Sequence, residues 1–221
     1  MSEQKDSPLD RREFFQRGLK KATAIAIDAA ESSVEARARQ WVRPPFAIPE
    51  LDFLISCSRC GDCVEVCPTA VIFPLSARYG ATAVGTPAMD LANKACLMCH
   101  DWPCVTACEP RALRLPPSPV AAEAGEEARG AVREEVQESA EASGIPLPRL
   151  ARARIDTSSC LPYLGPECGA CSHSCPVPGA LLWDGPKPRI DPEICTGCGA
   201  CRVACITEPK SVLISPLTGQ E

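Results

Sequence analysis

No run of about 20 apolar residues occurs along this chain, so the hydropathy pattern predicts no membrane-spanning helix. Residues 1–40 are polar and charged, and the stretch from Leu19 to Val34 has the pattern of a helix. "WVRPPFAIPELDF" follows, a proline-stiffened lead into the first of several cysteine clusters. Between Pro116 and Arg152 there is no cysteine, and "AAEAGEEARGAVREEVQESAEASG" within it is rich in Ala and Glu. Those residues favour helix, yet the apolar positions are too few to make a buried face. The segment therefore reads as a solvated helix or tether; a docking surface for a basic partner is the alternative. The chain closes with the short stretch "SVLISPLTGQE".

Composition sharpens this picture. Aromatic residues make up 5% of the 221 residues, while prolines number 23 and cysteines 16, the last about 7% and several-fold above ordinary usage. So few large apolar side chains and so many breakers predict small, loop-rich units held together by disulfides or metal. The formal net charge of -5 argues against nucleic acid, which calls for a basic face.

The cysteines fall into four quartets. The first is Cys57, Cys60, Cys63 and Cys67, with gaps of two, two and three residues. The second, in "CLMCHDWPCVTACEP", is Cys96, Cys99, Cys104 and Cys108, with gaps of two, four and three. The third is Cys160, Cys168, Cys171 and Cys175, with gaps of seven, two and three. The fourth is Cys195, Cys198, Cys201 and Cys205, with two, two and three again. The order quartet, quartet, linker, quartet, quartet is an internal repeat.

Three chemistries compete for such a pattern. Disulfides within one short loop are geometrically poor and close loops too small to stabilise much. Zinc normally takes two short pairs separated by a dozen or more residues. A 4Fe–4S cube suits the spacing better, because a tight loop can present three thiolates to three iron corners. The fourth cysteine, after the turn, then reaches a second cube. Quartets three and four lie close in sequence, as do one and two, and the linker separates the pairs. One cluster is then expected on Cys57, Cys60, Cys63 and Cys108, and its neighbour on Cys96, Cys99, Cys104 and Cys67. A third is expected on Cys160, Cys168, Cys171 and Cys205, and a fourth on Cys195, Cys198, Cys201 and Cys175. Pairing quartet one with four and two with three would require the linker to fold back.

The expected class is α+β, with two small ferredoxin-like dicluster modules, loop-rich and stabilised by their clusters. The expected divisions are an N-terminal segment (1–44), a first module (45–116), an acidic linker (117–152) and a second module (153–221). Gly61, Gly197 and Gly199 give the cluster loops backbone freedom, and Pro68, Pro110 and Pro176 turn the chain away after three fourth cysteines. His100 and His173 lie inside quartets already complete in cysteine, which favours loop roles over ligation. Trp102 and Trp183 read as packing over clusters rather than as electron relays. Arg59, Arg202 and Lys210 either offset cluster charge or are ordinary surface cations. No dinucleotide fingerprint, P-loop or hydrolytic triad occurs, so the chain is read as an electron carrier and not an enzyme.

With the quartets goes a wider resemblance. "DRREFF", "RPPFAIPELDFLISCSRCGDCVEVCP", "GTPAMDLANKACLMCHDWPCVTAC", "ARARIDTSSCLPYLGPECGACSHSCP" and "CTGCGACRVACITE" together resemble the MauM/NapG-type ferredoxins. The "RPPFAIPELDF" entry also resembles the NapF type. The resemblance implies four 4Fe–4S clusters on the sixteen cysteines. It also implies transfer of electrons from a membrane quinol-oxidising ferredoxin-type partner toward a terminal reductase or dehydrogenase. Two other roles stay open: a fixed iron–sulfur subunit of a molybdopterin-type oxidoreductase, and an assembly factor for such an enzyme. "DRREFFQRG", with Arg11 and Arg12 as its pair, resembles a twin-arginine export signal. The apolar stretch after it, "ATAIAIDAA", is short and interrupted by Asp28, so export with an uncleaved signal and cytoplasmic retention both remain.

Overall fold

The computed structural model describes residues 36, 38, 40–116 and 145–217. The Arg11–Arg12 pair, the helix expected from Leu19 to Val34 and most of the acidic linker lie outside them. The chain divides into two compact units, Met1–Ala38 and Arg39–Glu221, and the second holds all sixteen cysteines.

In that unit the proline-stiffened lead becomes a strap. Pro44 and Pro45 are fully buried, and Pro49 caps helix α1 (Glu50–Ser56). Glu50 and Asp52 in its first turn suit the positive end of the helix dipole, and Phe53 is completely buried. A one-turn helix α2 (Asp62–Glu65) precedes an antiparallel ribbon of β1 (Ile72–Pro74) and β2 (Pro87–Met89). The ribbon pairs Ile72 with Met89 and Pro74 with Pro87. A second one-turn helix, α3 (Pro103–Thr106), leads to a bridge between Ala47 and Leu113 that closes this half. The Ile48 N–H donates to the Ala112 carbonyl at 3.1 Å and the Arg114 N–H to that of Phe46 at 3.0 Å, so start and end of the half lie side by side.

The other half repeats the plan with longer strands. β3 (Ala151–Ile155) pairs antiparallel with β6 (Val212–Pro216), Ala151 opposite Pro216 and Ile155 opposite Val212. Ala151 and Ala153 are buried while Arg152 and Arg154 are exposed, the two-residue period of a strand with one covered face. β3 begins at Ala151, inside the span read as linker from the sequence. Between its outer strands lie α4 (Leu161–Leu164), the hairpin of β4 (Leu181–Asp184) and β5 (Lys187–Ile190), and α5 (Ala200–Ala204).

Five short α-helices, one 3-10 turn (Ala77–Tyr79) and three two-stranded antiparallel sheets make the described residues α+β, as expected. The apolar core is continuous across both halves: Val42, Phe53, Val71, Leu91 and Leu113 belong to the same buried cluster as Leu150, Ala151 and Cys198. Large side chains such as Phe53, Trp102, Leu91 and Leu113 share it with four cysteines, Cys63, Cys96, Cys104 and Cys198.

Candidate iron–sulfur centres

The cysteine loops follow one local rule. In three quartets the third cysteine is the second residue of a short helix, Cys63 in α2, Cys104 in α3 and Cys201 in α5. In each the N-cap is left-handed: Gly61 (φ 92°), Trp102 (φ 44°) and Gly199 (φ 83°). The residue just before the second cysteine is left-handed too: Arg59 (φ 62°), Met98 (φ 51°) and Gly197 (φ 73°). Two left-handed residues around the second thiol curl the backbone, so that three side chains face one hollow instead of fanning outward. His100 and Asp101 of the stretched second quartet precede its N-cap and leave the helical part unchanged. The seven-residue gap of the third quartet is filled by α4, whose cap is Cys160 itself.

Four cavities result, each lined by four cysteines. The largest of the four, about 310 Å³, is lined by Cys57, Cys60, Cys63 and Cys108. A second is lined by Cys67, Cys96, Cys99 and Cys104, with Trp102 on its wall. The others are lined by Cys175, Cys195, Cys198 and Cys201, and by Cys160, Cys168, Cys171 and Cys205. In every cavity three cysteines come from one quartet and the fourth from the neighbouring quartet. All sixteen are free thiols, so the chain uses none in disulfides. Among the described residues no three His, Cys, Asp or Glu converge as they would on a single metal ion.

Comparison with known proteins agrees with this chemistry. A family model described as a 4Fe-4S binding domain matches residues 186–205, which include the whole fourth quartet. The methylamine utilization ferredoxin-type protein MauM of Methylophilus methylotrophus is 30% identical over 94% of this chain and 87% of that protein. MauM of Methylorubrum extorquens is 30% identical over 93% of this chain and 89% of its own length. The chain belongs to the MauM/NapG ferredoxin-type family. The ferredoxin-type protein NapG of Escherichia coli is 28% identical over 89% of this chain and 79% of that protein. No solved structure matches. Membership makes the chain an iron–sulfur protein of electron transport carrying 4Fe–4S chemistry.

For this MauM/NapG-type chain the donor sets suit the group. Burial pushes the Cys63 thiol up to about 12, with Cys108, Cys57 and Cys60 adding to it through their charge. Burial does the same to Cys104 and Cys201, each up to about 12, and to Cys96, up to about 11. Four thiolates crowded in an apolar hollow need cations among them, and iron supplies these. Polar groups also aim at sulfur. Burial raises Cys67 and Cys205, but hydrogen bonds outweigh it and hold both below the usual thiol value. For Cys67 these come from the Ile72 N–H and from Thr69; for Cys205 from Thr207, whose Oγ1 lies 3.1 Å from Sγ, and from the Ser211 and Val212 N–H groups. The Leu113 N–H donates to Cys108 Sγ at 3.4 Å, and the Gly197 N–H to Cys195 Sγ at 3.4 Å. Two buried polar atoms wait beside the cavities. Trp183, which lines the Cys160 cavity, has its indole N–H buried without a partner. Thr196, beside Cys195 and Cys198, has a buried hydroxyl with no formed hydrogen bond; burial raises the Cys198 thiol, and the Ala200 N–H and Thr196 offset part of that rise.

The remaining sequence candidates sort plainly. His100 and His173 are exposed and line none of the four cavities. Trp102 is buried and packs edge-on against Phe46, their ring centres 4.8 Å apart, as packing over a cavity wall required. The three cations brace backbone. Arg59 donates to the Val84 and Thr82 carbonyls, Arg202 to those of Ala92 and Val212, and Lys210 to that of Cys205. The "Cys-x-Thr" stretches at 67–69 and 205–207 carried a signal for the threonine donors that the reading of the sequence passed over. Arg43 was also missed. It forms a paired ion contact with Glu50, donates to Thr86 Oγ1 and the Pro87 carbonyl, and lies over the Trp41 and Phe53 rings.

Proposed function

We propose that this chain is a four-cluster electron relay. Two dicluster modules, residues 45–116 and 151–221, are joined by the segment 117–150. Cys57, Cys60, Cys63 and Cys108 hold the first cluster, and Cys96, Cys99, Cys104 and Cys67 the second. Cys160, Cys168, Cys171 and Cys205 hold the third, and Cys195, Cys198, Cys201 and Cys175 the fourth. The observation that supports the reading is that each cavity is lined by three cysteines of one quartet and the fourth of its neighbour. A single-ion site has no use for such an exchange; a pair of cubes does.

Once bound, the clusters supply one-electron oxidation and reduction. The chain does the rest. Its thiols fix the irons, and its apolar walls keep water from the sulfides. N–H and O–H donors at Cys67, Cys108, Cys195 and Cys205 stabilise the extra negative charge of the reduced state, which raises the potential there. A membrane quinol-oxidising ferredoxin-type protein is the proposed donor and a terminal reductase or dehydrogenase the acceptor, with no substrate transformed on the chain itself. In support, MauM relatives are named for methylamine utilization and, like NapG, as ferredoxin-type proteins.

The ligand exchange is tested by serine substitution in the full chain, read by redox titration with low-temperature EPR. Cys67→Ser and Cys99→Ser should each perturb one and the same redox component. Cys60→Ser and Cys108→Ser should perturb a different one. If Cys67→Ser instead alters the component that Cys60→Ser alters, each quartet keeps its own cluster and the proposed assignment is wrong.

A further inference from the structure

The cavities of Cys67, Cys96, Cys99 and Cys104 and of Cys175, Cys195, Cys198 and Cys201 meet where the two halves join. The Cys96 N–H donates to the Cys198 carbonyl at 2.9 Å, so one cysteine of each cavity is hydrogen-bonded directly to the other. A clamp surrounds this bond. Arg202 of α5 donates from Nε to the Ala92 carbonyl at 2.7 Å while its other arm holds the Val212 carbonyl, tying one half to the other. Gly199 presses its bare Cα on the Leu91 and Lys94 carbonyls, where a Cβ would stand 3.0 Å and 3.1 Å away. Leu91, Cys96, Leu150, Ala151 and Cys198 share one buried cluster across the join.

Resting on the four-cluster reading, we propose that electrons cross between the modules here, so that the clusters act in spatial and not sequence order. The route runs from the Cys57/Cys60/Cys63/Cys108 cluster to that of Cys67/Cys96/Cys99/Cys104. It crosses the Cys96–Cys198 bond to the Cys175/Cys195/Cys198/Cys201 cluster and ends at that of Cys160/Cys168/Cys171/Cys205. Within each half the neighbours are fixed by the exchanged cysteines, and the order follows from which cavities face each other at the join. Electron tunnelling decays exponentially with distance, so the pair in direct backbone contact sets the crossing. The two outer clusters then become the stations for external partners. Cys60, exposed at one outer cavity, fits that role.

The test uses two double variants of the full-length holoprotein. Cys60→Ser with Cys168→Ser removes the outer clusters and keeps the pair at the join; Cys99→Ser with Cys195→Ser removes the inner clusters and keeps the outer pair. After full reduction the first should give EPR signals broadened and split by spin–spin interaction, the second the simple signals of isolated clusters. The reverse result overturns the route. Iron content separates the underlying reading from this inference: about sixteen irons in the parent and about eight in each double variant are required for four clusters. If serine variants lose more than their own clusters, iron anomalous scattering from crystals of the parent protein decides. The closest inter-module pair should be the two inner clusters, and any other closest pair contradicts the proposal.

Discussion

At Gly197 the backbone leaves no room for a side chain. A Cβ there would stand 2.0 Å from the Ala151 carbonyl oxygen, and φ is +73°. Gly61 has a similar left-handed backbone (φ +92°) but open space around it. The two positions therefore separate strain from collision. Gly61→Ala should cost about 1 kcal/mol from backbone strain alone. Gly197→Ala adds displacement of β3, and should cost roughly 2–3 kcal/mol or more. Loss of cluster absorbance on guanidinium titration measures both; equal midpoints for the two variants would contradict the packing described. A second residue-level test lies in the entry strap. Arg43 and Glu50 are about nine-tenths buried as a pair, their side chains 11% and 9% exposed. Arg43→Met leaves the Glu50 carboxylate and the Thr86 hydroxyl without their donor, so a loss of about 3 kcal/mol is expected by the same titration.

The elements are small enough that iron, and not propensity, must organise them. Helices of four or five residues are far below the length that is stable alone, and α2, α3 and α5 each carry a third cysteine at their second position. This explains what could be read from the sequence. Spacing of cysteines predicts which thiols face one hollow, because a two-residue gap leaves the chain few ways to turn. It also suggested the exchange of fourth cysteines, which are thrown past the end of each short helix. The left-handed residues at Arg59, Met98 and Trp102 were not legible, since only Gly197, Gly61 and Gly199 advertise such backbone in their identity. Pairings such as Ala47 with Leu113 and β3 with β6 were hidden for another reason. They join residues far apart in sequence, and even the clear Ala/Arg alternation of β3 does not name its partner. The contact of Cys96 with Cys198 is of the same kind, spanning two halves whose separate patterns say nothing of their meeting.

For the whole molecule the governing quantity is charge. The chain carries a formal charge of -5 before any cluster is counted, and thiolate-bound cubes add further negative charge. A carrier of that sign is steered to basic faces on its partners, and salt screens the attraction over about 10 Å at 0.1 M. Stopped-flow reduction of the holoprotein by its physiological donor should slow steeply as ionic strength rises, and a flat profile would exclude electrostatic steering. The central claim, however, is that sixteen cysteine thiols hold four cubes. Iron, acid-labile sulfide and zinc counted per chain in anaerobically purified protein, with low-temperature EPR after reduction, test it most directly. About sixteen irons with matching sulfide and magnetically interacting signals are the result predicted here. Zinc in the sites, or iron sufficient for only two cubes, would contradict it.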